Sequence, residues 1–113
     1  MTDDRATIAR QLYVIISAAR EMGATVEVYA RLVELSGVLV EAGLTTEAAN
    51  LLAWVMHQPD VPYDVYDRAD DLWIDLESRL CPRVIADAKQ DAPITTLRGV
   101  VEASFTALLP PES

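Results

Sequence analysis

The chain has 113 residues, a net charge of −9, a single cysteine and 51% hydrophobic residues. That length suits one domain that buries its own core without a metal or disulfide staple. Cys81 alone excludes an internal disulfide, and the acid excess repels phosphate backbones, so nucleic-acid binding is not expected.

No stretch reaches the ~20 apolar residues of a membrane span. The opening MTDDRATIAR is acidic and lacks the basic start and apolar run of a secretory signal, so a cytoplasmic location is expected. Strand signals are weak, with no long period-two alternation and no Asn-Gly turn. Helix signals recur throughout. The first helix spans about Asp4 to Glu21, with Ile8, Leu12, Ile15, Ile16 and Ala19 at spacings of three and four. Gly23 closes it. Residues 26–42, VEVYARLVELSGVLVEA, form the second helix, with Thr25 as its cap. Its polar positions Glu27, Arg31, Glu34 and Glu41 make one narrow stripe at 100° per residue, and apolar residues cover the rest. A helix apolar nearly all round is surrounded by other elements, so this one reads as the central helix.

Gly43 ends the second helix, and Thr45 or Thr46 caps a third that runs to about His57. Pro59 stops it. Asp60 to Pro62 opens a fourth helix, with Pro62 in its first turn, reaching about Leu80. A short fifth helix covers 82–89, Asp91 to Pro93 is a loop, and Thr96 caps a sixth near 97–109. Links of two to six residues make successive helices antiparallel. The reading is one all-α domain over 1–109, an antiparallel bundle of five or six helices, with a frayed tail at 110–113.

Few residues offer chemistry. His57 is the only histidine, and with one distant cysteine it cannot build a zinc site. Ser36, His57 and an aspartate could form a hydrolase triad on paper, but no nucleophile elbow accompanies them. Cys81 sits at a helix start, where a thiol is acidified; the commoner role is a small buried filler. Asp64, Asp67, Asp71 and Asp75 share one face of the fourth helix without the glycine-turned loop of a calcium site. They read as a solvated face or a docking strip for a basic partner. Neither a cofactor nor a metal is implied. Trp73 lies with Ala69, Leu72 and Leu76 and reads as core. On the third helix Ala48, Leu51, Leu52 and Val55 point to the core. Trp54 shares the opposite face with Glu47 and Asn50, either packing beneath the fourth helix or anchoring a partner.

Leu35, Ser36, Leu39, Gly43, Ala48 and Leu52 take the large, small, large, glycine, small and large positions of a tetratricopeptide repeat. The pair resembles that repeat in degenerate form, with Leu32 at its first aromatic position and Pro59 one residue early. The segment from about 45 to 108 resembles the end of helical-repeat arrays in large bacterial regulators that carry an ATPase or cyclase-type module. The matching residues are His57, Pro59, Arg68, Ala69, Pro82, Val84, Ala88, Thr96, Leu97, Val100 and Val101. The 113 residues include no ATPase module and too few repeats for a long superhelix. The resemblance implies a scaffold role with no catalytic residue.

The repeat's usual ligand side here holds Ala30, Val33, Gly37 and Val40, small apolar positions suited to close packing. The expectation is a non-enzymatic protein-interaction module of a bacterial regulatory system that self-associates through apolar helix faces. The alternative is a helical pocket for a small apolar ligand.

Overall fold

The computed structural model describes residues 4–108, with side-chain surroundings for 7–107. Among the described residues six α-helices follow one another: α1 Asp4–Glu21, α2 Thr25–Glu41, α3 Thr45–His57, α4 Tyr63–Arg79, α5 Pro82–Asp91 and α6 Leu97–Leu108. A 3-10 turn, Ala92–Ile94, joins α5 to α6. No strand occurs among the described residues. The end expected for the sixth helix at 109, and the tail at 110–113, lie outside them. The radius of gyration is 13.4 Å, matching the ~13 Å of a closed domain this long rather than an open repeat array.

The first two inter-helix links are the same turn written twice. Gly23 (φ 73°) and Gly43 (φ 81°) adopt the left-handed backbone. In each, the glycine N–H donates to a carbonyl three residues back, Arg20 O or Val40 O. The next N–H reaches five back, Ala24 to Ala19 O and Leu44 to Leu39 O. These bonds satisfy the carbonyls that each helix end leaves free. They also shift the caps from where the sequence suggested. Ala24 and Leu44 are the N-cap residues of α2 and α3, without side-chain caps, and Thr25 and Thr45 are already helical. The chain leaves each glycine already aimed for the next helix, so no threonine cap is required. Thr96 does cap α6, its Oγ1 accepting from the Gly99 N–H at 3.0 Å. Pro62 is the extended N-cap of α4 rather than a first-turn residue. The expected loop Asp91–Pro93 instead continues α5 to Asp91 and tightens into the 3-10 turn.

Glycine position decides the sign of a substitution here. At Gly37, inside α2, an added Cβ meets nothing within 4 Å. Gly37→Ala therefore raises stability by about 0.5–1 kcal/mol through a less free unfolded chain. Gly43 also has open space, but its positive φ makes Gly43→Ala cost about 1–2 kcal/mol. Paired urea titrations read both.

Packing centres on α3, a correction to the expectation that α2 is the hub. Helix α3 touches α2, α4, α5, α6 and the 3-10 turn, whereas α2 touches α1, α3 and α4. The residues from Leu51 to Val55 are all buried. Ala48, Ala49 and Ala53 supply the reason: with only a methyl group each, they admit neighbours from several sides. On α2, Val28, Tyr29, Leu32, Val33, Leu35, Ser36 and Leu39 are buried, and Ala30, Gly37 and Val40 are half-buried. Its wet stripe is the expected one, with Arg31 bracketed by ion pairs to Glu27 and Glu34. Helix α6 closes the bundle, reaching both α1 and α3. Phe105 meets the Tyr13 ring edge-on at 5.2 Å.

Tyr29 locks α2 to the loop before α4. Its hydroxyl donates to Asp60 Oδ1 at 2.7 Å. Burial, then the bond to Asp60 and its negative charge, pushes the phenol from 10.0 up to about 12. Above pH 10 the unfolded chain gives up this proton first, so it binds fewer protons than the folded chain. The stabilisation is whole below pH 10 and is lost as pH rises through 12. Urea midpoints across that window should fall more steeply for the wild type than for Tyr29→Phe, which lacks the group.

Candidate interaction site

The acidic face of α4 is solvent-facing. Asp64, Asp67 and Asp71 are exposed, and Asp75 is half-buried and paired with Arg79 at 3.2 Å. Such an exposed pair contributes little to stability. Among the described residues no group of three or more His, Cys, Asp or Glu could hold a metal ion.

Trp54 is not on the surface. It is 6% exposed, and its indole Nε1–H donates to Thr95 O at 2.8 Å. Its ring leans on Tyr29 with centroids 6.2 Å apart. It therefore packs between α2 and the α5–α6 link instead of beneath α4, and it offers no anchor to a partner. The face it was expected to share is split: Asn50 is exposed, Glu47 half-buried and Trp54 inside. Thus Glu47, Asn50 and Trp54 form no joint surface, and the tryptophan does not join the α4 aspartates. Cys81, expected as buried filler, is exposed at the start of α5. His57 is exposed, and Trp73 is core as expected.

The surface missed in the sequence lies on α1. The core takes Ala9, Leu12, Ile16 and Ala19. Ile8 and Ile15, expected inside, remain 43% and 40% exposed, and Val14 is 65% exposed. At 100° per residue, Thr7, Ile8, Gln11, Val14, Ile15 and Ala18 fall within about 120° of arc, with no charge among them. Arg10 stands at the edge, and a shallow depression of about 410 Å³ is lined by Arg10, Gln11, Val14 and Ile15. The sequence signal was available: the apolar arc of α1 is wider than one neighbouring groove can cover.

A cleft of about 180 Å³ lies between α1, α2, α3 and α6, lined by Val28, Tyr29, Trp54 and Leu97 among others. It falls below the ~300–1,000 Å³ of small-molecule sites. No helix among the described residues is long and apolar enough to cross a membrane. No family model, curated protein or solved structure matches the chain.

Proposed function

We propose that this chain is a non-enzymatic protein-interaction module that self-associates through α1. The carrying observation is the uncharged flank of Ile8, Val14 and Ile15, exposed on a molecule of net charge −9. Two copies of that charge repel wherever acidic surface meets acidic surface. Between Thr7 and Ala18 this flank carries no carboxylate, so a second copy approaches there at least cost, and two such flanks remove apolar area from water. The scaffold role suggested by the resemblance to repeat-array ends in bacterial regulators agrees with this reading. So does the tetratricopeptide-like spacing of α2 and α3.

Light scattering over a concentration series tests it. The mass should rise from 12.4 kDa toward twice that value, and the rise should be larger at high salt, which screens the mutual repulsion. Ile15→Glu should hold the protein at the monomer mass with unchanged thermal unfolding at low concentration. A wild type that stays monomeric at every concentration and salt contradicts the proposal.

A further inference from the structure

A second surface has a different chemistry. A cleft of about 450 Å³ opens between the end of α3, the length of α4 and the end of α5. Its long wall comes from α4, where Tyr66, Asp70, Trp73 and Glu77 line it together. Their spacings of four, three and four place them within about 60° of helix arc, so aromatic and carboxylate alternate along one stripe. Ala53, Met56 and His57 of α3, Lys89 of α5 and Ala92 form the opposite side.

The charges in this cleft are mismatched. The Lys89 ammonium stands over the Trp73 ring, 5.8 Å from its centroid. Among the described residues, neither Asp70 nor Glu77 makes an ion pair, with Lys89 or any other cation. Two carboxylates thus flank an aromatic face that already holds a positive group, and neither is neutralised. Helix α4 as a whole carries Asp64, Asp67, Asp70, Asp71, Asp75 and Glu77 against Arg68 and Arg79, six negative charges to two positive.

We propose that this cleft receives an arginine or lysine side chain from a basic segment of a partner protein, with Lys89 as the internal group that it displaces. Trp73 is itself only 5% exposed, so the guanidinium takes the place that the Lys89 ammonium holds over its ring, keeping the cation–π contact and adding charge-assisted hydrogen bonds to Asp70 and Glu77. Methionine and tyrosine supply the apolar walls for the side-chain stem. This site is separate from the α1 flank, so a strictly monomeric protein would leave it standing.

The test is fluorescence anisotropy with a labelled peptide of alternating glycine and arginine, against its neutral citrulline counterpart. The arginine peptide should bind and the citrulline peptide should not. The pair Asp70→Asn with Glu77→Gln should weaken binding about tenfold, and the charge-matched pair Asp64→Asn with Asp71→Asn less than about threefold. Lys89→Ala should tighten binding about threefold by removing the competitor, and Arg83→Ala, the same charge change elsewhere on α5, should have less effect. The proposal is overturned if the arginine peptide fails to bind below about 1 mM. It is equally overturned if the two carboxylate pairs act alike, or if Lys89→Ala tightens no more than Arg83→Ala.

Discussion

Trp54→Ala is expected to lower the unfolding free energy by about 3–5 kcal/mol, the range for removing a large buried aromatic. Three losses combine. The ring leaves a void beside Tyr29. The Thr95 carbonyl loses its indole donor. The α5–α6 link then loses a tie to α3, so α6 docks less firmly on both α1 and α3. Trp54→Phe separates these effects. It keeps most of the apolar contact but leaves Thr95 O without its donor, and should cost about 1–2 kcal/mol. Urea unfolding followed by far-UV circular dichroism reads both variants. A loss below about 1 kcal/mol for Trp54→Ala would mean that the indole is not packed as described.

Leu35→Ala should cost about 2–5 kcal/mol. Leu35 lies midway along α2 and is fully buried. Ser36 beside it is also fully enclosed, its hydroxyl turned back onto Leu32 O at 3.0 Å. With both positions fully enclosed, little can relax into the space that Leu35 leaves. Val14→Ala on α1 is the contrast. It removes a similar side chain from a position 65% exposed and should change stability by less than about 0.5 kcal/mol. Equal losses at the two sites would show that the burial pattern is wrong.

The helices were legible because the periodicity and the two glycine stops are local signals. Helix α1 and the end of α3 fall where the spacing placed them. The wet stripe of α2 also came through, because Glu27, Arg31 and Glu34 sit three or four apart. The hub did not. The number of large apolar residues favours α2 with its valines and leucines, but α3 is more enclosed because its alanines let neighbours in. Alanine carries little hydrophobic weight, so a pattern of apolar residues underrates it. Trp54 was ambiguous because its face on α3 holds Glu47 and Asn50; only the return of the chain at Thr95 gives the indole a partner, 41 residues away. The α1 flank was hidden by the opposite error. Ile8 and Ile15 satisfy a core spacing, yet α2 and α6 cover only part of the arc they belong to. The α4 cleft is not legible in the spacing of Asp64, Asp67, Asp71 and Asp75, which marks a neighbouring face of the helix. The adjoining stripe interleaves aromatic residues, and its third wall, Lys89, comes from another helix.

Self-association through α1 is tested most directly by trapping the contact. Gln11 lies in the middle of the uncharged flank, and Asp71 lies on the exposed face of α4. Single cysteines at these positions, Gln11→Cys and Asp71→Cys, are introduced in a Cys81→Ser background and oxidised under mild conditions. The Gln11→Cys protein should form a disulfide-linked dimer rapidly, and adding Ile15→Glu should abolish it, while Asp71→Cys stays monomeric. Equal trapping at both positions, or trapping only at Asp71→Cys, would contradict an interface built on α1.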